Sequence, residues 1–422
     1  MEFLLSLSVA LFAGLMLSRL AKVAQLPAVT AYLVAGILIG PYLLGALGIK
    51  GLGFTSMAEL HDLSLLSDVA LGFIAFSIGN EFRLSQLKQT GKQATVIGIF
   101  QAVAATLLVD AALIGLHFLI PDKLPLPSAI VLGAVASATA PAATLMVVRQ
   151  YKAKGPLTDL LLPIVALDDA VGLILFAISF GVAKALLSGQ VDLISVLLEP
   201  ILEVVLSLLL GALMGGLFSF CERFFHSRSK RLSMSVTFVL LTVALSMLKF
   251  EVGGIHIAFS SLLTCMMLGT VFCNVCDFSE ELMDRIDRWT APLFILFFVL
   301  SGAELELAVF RDPLIVFVGV VYILFRSLGK YFGAFFSAKA VRCPPRIVNY
   351  LGITLLPQAG VALGMAIKAE ALGAEGAVVA NITLFSVLIY ELIGPYLTKI
   401  ALLKAGDIRP EGKTSARQSI IR

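Results

Sequence analysis

The chain has 422 residues, 59% of them hydrophobic and 14% charged, with a formal net charge of +3 and a mean hydropathy of +1.00. A water-soluble domain of that composition would expose large apolar patches, so the bilayer must be its solvent. The basic residues are spread along the chain rather than gathered in one patch, which argues against a nucleic-acid partner.

Apolar runs of roughly 18 to 28 residues recur along the whole length, each able to cross roughly 30 Å of hydrocarbon at about 1.5 Å per residue. They predict an all-α polytopic membrane protein of about thirteen spans. The expected spans are 3–21, 25–47, 63–82, 93–120, 127–148, 158–183, 193–222, 232–248, 255–274, 289–310, 313–338, 347–367 and 376–398. The first has no basic stretch ahead of it, and its charges follow the apolar run, the pattern of an uncleaved span rather than a signal peptide. Residues 403–422 form a short polar tail, too short to fold alone.

The second span reads LPAVTAYLVAGILIGPYLLG from Leu26 to Gly45. The third holds a Phe-rich run, Phe73 to Glu81, that ends in G-x-E, and the tenth holds its counterpart, Phe297 to Glu304. The fifth carries Ser137-Ala138-Thr139-Ala140-Pro141, and the twelfth carries Thr354-Leu355-Leu356-Pro357-Gln358-Ala359-Gly360. Each sets a proline near mid-span with a hydroxyl at most about a turn before it. The two units lie seven spans apart and so run in opposite directions, as in inverted-repeat transporters, here about 63–185 and 289–400. Proline removes a backbone hydrogen bond and frees carbonyls, so Pro141 and Pro357 with Gln358 mark two broken helices and a midplane ion site.

The connections give the orientation. The odd ones hold seventeen basic residues, among them Arg83, Arg149, Arg231, Arg288 and Arg346, and the even ones hold six. By the positive-inside rule the odd connections and the C-terminus are cytoplasmic and the N-terminus is outside. Cys221, Cys265, Cys273, Cys276 and Cys343 read as reduced packing residues, the lone C-x-x-C of Cys273 and Cys276 included.

The sixth span sets Asp168 and Asp169 side by side near the middle of a long apolar helix. One charge there costs on the order of 3 kcal/mol, so two are kept only with a partner, a proton, a bound cation or water. Adjacent residues point about 100° apart, so one carboxylate can face a cavity while the other meets a neighbouring helix. Burial and mutual repulsion disfavour having both ionised, which suits a site loaded alternately by proton and cation. The counter-charge is expected in the eleventh span, where Arg326 and Lys330 share a face at i and i+4. Arg326 lies roughly 20 Å from the cytoplasmic end, too deep to snorkel; Lys330, at about 14 Å, could snorkel or join the site. Glu81 and Glu304 end their spans and are expected at the interface, with Glu81 a possible ion-pair partner of Arg326. Asp68 and Asp110 are expected near an aqueous edge.

Taken jointly, the Leu26–Gly45 run, the G-x-E end of span three, the T-A-P-A segment, the Asp168-Asp169 pair, Arg326 and the L-P-Q-A-G segment resemble the monovalent cation:proton antiporter superfamily. The likeness covers residues 3 to 402, of the bacterial sodium/proton exchanger type, in a Kef-like branch without the nucleotide-binding tail. It implies the sodium/proton antiporter fold, with spans five and twelve as crossing broken helices in a core domain. Spans one to three and eight to ten would form a scaffold and a homodimer. It further implies a secondary antiporter of the cytoplasmic membrane that exchanges Na+ or K+ for protons and uses no cofactor. Asp169 would be the principal carrier of cation and proton, assisted by Asp168, with Thr139, Ser137 and nearby carbonyls completing the oxygen shell. Two departures stand out. Arg326 occupies what reads as the lysine position of electrogenic relatives, and Ile164 the glutamate position of electroneutral ones.

Two rivals are weaker. An organic-anion transporter on the same fold has no need of paired midplane carboxylates. An intramembrane aspartyl protease needs its aspartates on different helices, typically with a G-x-G-D loop, and here they are consecutive.

Overall fold

The computed structural model describes residues 2–24, 26–49, 51–80, 82–188, 198–252, 255–276, 279–305 and 310–408. In chain order its helices are α1 (Glu2–Val23), α2 (Ala28–Ile39), α3 (Met57–His61), α4 (Ser64–Gly79), α5 (Leu84–His117), α6 (Leu126–Val135), α7 (Pro141–Gln150) and α8 (Pro156–Ser188). There follow α9 (Glu199–Glu222), α10 (Arg228–Ser246), α11 (Ser261–Val275), α12 (Ser279–Glu304), α13 (Pro313–Ala340), α14 (Pro345–Thr354), α15 (Gly360–Ala369) and α16 (Ala374–Ala405). Seven of these, on α1, α5, α8, α9, α12, α13 and α16, are long and apolar enough to cross a membrane unaided. Every expected span coincides with a helix, and the fifth and twelfth each coincide with two, α6 with α7 and α14 with α15.

Local chemistry sets these limits. Pro141 and Pro345 sit in the first turns of α7 and α14, where a missing N–H costs nothing. The residue before Pro141, Ala140, is extended (φ −90°, ψ 99°), as steric conflict with the proline ring requires. Asp312 caps α13 by accepting from the Leu314 N–H (2.9 Å), and Gly406 closes α16 at φ 89°.

One expectation is corrected. The expected ninth span, 255–274, begins instead with a strand, β2 (Ile255–Ile257), antiparallel to β1 (Phe250–Val252), and the helix starts at Ser261. The second helix is also shorter than its apolar run, because Pro27 caps one end and Gly40 turns the chain at the other.

The helices pack in two groups. In one, α2 lies on α12 and α1, and α11 lies on α4 and α9. In the other, α5 lies on α13 and α8, α6 on α8, and α14 and α15 on α16. Glycine brings the first group together. A Cβ on Gly79 of α4 would strike the Met266 backbone of α11, and one on Gly269 of α11 would strike that of Phe76. The same reciprocity joins α2 and α12, where Gly36 faces the Val299 backbone and Gly302 that of Leu33. The glycines of the two G-x-E runs thus make equivalent contacts with helices that are themselves seven spans apart.

The residues just after α16 are tied to this framework. Beyond α16, the Asp407 carboxylate accepts from the Thr158 N–H (2.7 Å) and hydroxyl (2.8 Å), capping the first turn of α8.

Candidate ion site

The two breaks cross in the second group. The Ala140 N–H donates to the Pro357 carbonyl (2.8 Å), and Gln358 Nε2 donates to the Val135 carbonyl (3.0 Å) and to the Tyr322 hydroxyl (2.9 Å). Each break therefore satisfies part of the backbone or side-chain hydrogen bonding of the other, as hydrocarbon demands of interrupted helices. Two half-helices, α6 and α14, end here with their carbonyls and their negative dipole ends converging.

The α13 cations answer that charge. Arg326, fully buried, donates through Nε to Ala136 (3.1 Å), Nη2 to Ala138 (2.6 Å) and Nη1 to Leu356 (2.7 Å), all backbone carbonyls, and lies 4.4 Å over the Tyr390 ring. Its planar fork thus stitches both breaks together. Lys330 is also fully buried rather than snorkelling. Its Nζ donates to the Ser137 carbonyl, to Thr139 Oγ1 (2.9 Å) and to Asp168 Oδ2 (2.8 Å).

Asp168 is fully committed. Besides Lys330 it accepts from Thr139 Oγ1 (2.5 Å) on Oδ2 and from Gln101 Nε2 of α5 on Oδ1. Asp169 is its opposite: 2% exposed, with neither Oδ1 nor Oδ2 hydrogen-bonded among the described residues. The 100° step between neighbours on α8 separates them, sending Asp168 to α5 and α13. Gly172, three residues on, lets the fifth-span break approach α8: a Cβ there would lie 3.0 Å from Ser137 Oγ.

The described residues expected at the site are together, with two redistributions. Lys330, not Arg326, is the ion-pair partner of an aspartate, because the carbonyls of the two breaks take the guanidinium. The Ser137 hydroxyl donates within its own turn to Ala134 (2.6 Å), so only its carbonyl reaches the cluster. Glu81 lies outside the described residues, so its pairing with Arg326 has no structural description. Asp110, expected near an aqueous edge, is half-buried, with Oδ1 packed against Gly133 and without a hydrogen-bond partner among the described residues. Two residues escaped the sequence reading: Gln101, a neutral amide in an apolar helix, and Glu391, a single acid in α16.

Two cavities lie between the helix groups at opposite ends. The larger, about 1390 Å³, is lined at the odd-numbered connections by Arg83, Arg149, Lys154, Asp159 and Asp287, and reaches Leu162 and Pro163 on α8. The smaller, about 610 Å³, is lined at the even-numbered connections by His61, Glu304, Leu363 and Glu370. Arg149, in the last turn of α7, bonds Asp287 of α12 across the larger one (2.5 Å). Lys368, in the last turn of α15, faces Glu203 of α9 at 3.5 Å. Among the described residues, no three His, Cys, Asp or Glu side chains converge as a metal site. A cation here would be coordinated by one carboxylate with hydroxyl and carbonyl oxygens.

The family model for the transmembrane sodium/hydrogen exchanger matches residues 7–404. The chain is 25% identical to the Na(+)/H(+) antiporter NhaS4 of Synechocystis sp. over 349 residues, 80% of this chain and 81% of that protein. It shares the fold of the sodium proton antiporter MjNhaP1 from Methanocaldococcus jannaschii at pH 8, with a TM-score of 0.68 and 18% identity over 97% of this chain and 100% of that one. An electron-microscopy structure of the same antiporter gives a TM-score of 0.70 at 16% identity, covering 96% and 97%.

Proposed function

This chain belongs to the sodium/hydrogen exchanger family, and we propose that it exchanges Na+ for protons across the cytoplasmic membrane by alternating access. One observation supports the reading: Asp169 is a buried carboxylate with neither oxygen hydrogen-bonded among the described residues, beside a second carboxylate that is fully paired. An anion in hydrocarbon needs a compensating charge, and either a proton or a cation supplies it. Holding one excludes the other, which couples the two fluxes.

In this reading Asp168 stays paired to Lys330 and positions Thr139, whose oxygen, with carbonyls of the fifth-span break, completes the cation shell around Asp169. Arg326 holds the crossing. The group bearing α5 to α8 and α13 to α16 moves against the group bearing α1 to α4 and α9 to α12, so that the site opens to one cavity and then the other. The larger cavity is then cytoplasmic and the smaller external, with the N-terminus outside, the C-terminus inside and a second copy bound through the scaffold.

Reconstitution into liposomes with a lumenal pH dye tests the reading. Sodium should drive a pH change in wild type and none in Asp169→Asn, and K+ and Li+ added in turn measure the selectivity. Undiminished flux in Asp169→Asn would remove that carboxylate from the mechanism.

A further inference from the structure

A second acid lies deep in the bilayer and is not used by the site above. Glu391 of α16 is 4% exposed, and its Oε2 is buried without a hydrogen-bond partner among the described residues. Three residues on, Gly394 lies against the second break, where a Cβ would sit 3.0 Å from Pro357. Glu391 is therefore about one helical turn from the crossing. In the other direction Leu384, seven residues back on the same helix face, lines the smaller cavity together with Ala380 and Glu304. Two turns are about 11 Å, so Glu391 spans the gap between the cavity floor and the crossing.

Among the described residues, no cation is paired with it. Of the elements packed on α16, α13 presents Arg326 and Lys330, both taken up at the crossing. The Arg149 of α7 is bound to Asp287, Lys368 of α15 faces Glu203, and Arg346 of α14 lies beside Gly406. Neither α2 nor α6 carries a charged side chain; α2 has Tyr32, α14 also has Tyr350, α8 carries Asp159 and Lys184 besides the aspartate pair, α13 also carries Lys339 in its last turn, and Glu370 follows α15. Among the described residues, Glu304 at the cavity lies within electrostatic range of Glu391, and Asp68 and His61 within range of Glu304. An acid so placed is kept in hydrocarbon by holding a proton.

We infer that Glu391 is the proton-carrying residue between the external cavity and Asp169, an inference that rests on the exchange proposed above. As the cation leaves, the Glu391 carboxylic acid gives its proton to the Asp169 carboxylate. The Glu391 carboxylate left behind takes a proton from the cavity, by way of Glu304. One proton has entered from outside, and no other bond has changed.

The test uses the full chain in right-side-out vesicles, with pH varied separately on each side, for wild type and Glu391→Gln. The glutamine keeps the shape and cannot carry the proton. The maximal exchange rate should fall about tenfold or more, in the range of a lost proton relay, with the sodium KM within about twofold of wild type. The response to external pH should flatten while the response to internal pH persists. Sodium should still raise the melting temperature of Glu391→Gln as it does in wild type, since the aspartate pair is untouched. Exchange at the wild-type rate at every external pH overturns the inference, and so does loss of sodium-dependent stabilisation together with rate, the mark of a packing role. Absence of exchange in wild type would instead sink the underlying reading.

Discussion

Lys330 Nζ lies 2.8 Å from Asp168 Oδ2 with both side chains fully buried, while the next residue, Asp169, has two oxygens without a hydrogen-bond partner among the described residues. Neighbouring identical side chains therefore answer differently to the same substitution. Asp168→Asn leaves an ammonium buried without its partner and should destabilise the protein by about 3–5 kcal/mol. Removing both charges in Asp168→Asn with Lys330→Met should recover much of that loss, because no ion is then left stranded. Asp169→Asn should leave stability unchanged or raised. Thermal unfolding in detergent measures all three, and an Asp168→Asn protein as stable as wild type would contradict the account.

Arg326 reaches three carbonyls with one planar group. Lysine keeps the charge but presents a single ammonium that cannot span both breaks. Arg326→Lys is expected to lose at least one charge-assisted hydrogen bond, about 1.5–3 kcal/mol, and to slow exchange by loosening the crossing. Melting temperature and initial rates together check this; wild-type values for both would show that one point charge suffices.

Glycine substitutions should separate close packing from mere helix content. A Cβ on Gly36 would overlap the Val299 carbonyl of α12, so Gly36→Ala should cost about 1–3 kcal/mol. Gly364, in α15, has open space around the same position, and Gly364→Ala should be neutral or stabilising by up to about 1 kcal/mol. Equal melting shifts in the two variants would refute the packing argument.

The Arg149–Asp287 contact ties α7 to α12 across the larger cavity, with side chains 20% and 33% exposed. Partial solvation limits such a pair to about 1 kcal/mol. That is still roughly a fivefold change in the balance between two arrangements of the helix groups. Asp287→Asn should speed amide hydrogen exchange over residues 141–150, with Asp287→Glu closer to wild type. Identical exchange in Asp287→Asn and wild type would show that the contact does not restrain α7.

Much of this architecture is legible in the sequence because its signals are local. Apolar runs mark the helices, Pro141 and Pro357 mark the breaks, and four ionisable residues in two apolar helices mark the site. What is not legible depends on rotation about helix axes. Whether Asp168 or Asp169 meets Lys330 is decided by how α8 seats against α5 and α13, which periodicity within α8 does not contain. Gln101 carries no charge to stand out from an apolar run. Glu391 does, and the reasoning applied to the aspartate pair would have singled it out. The hairpin signal of Gly253-Gly254 between FEV and IHI was overridden by the apolar run that follows it.

The Asp407 cap on α8 has a bearing on where the working unit stops. The foot of the helix that bears both aspartates is closed by a residue from the far end of the chain, some 249 positions away in sequence. Trimming the protein at Ala405, where α16 ends, would leave that helix with bare amides at its first turn. The residues just after α16 thus belong with the helix that carries the site, and a shortened chain must keep them for that helix to stay capped.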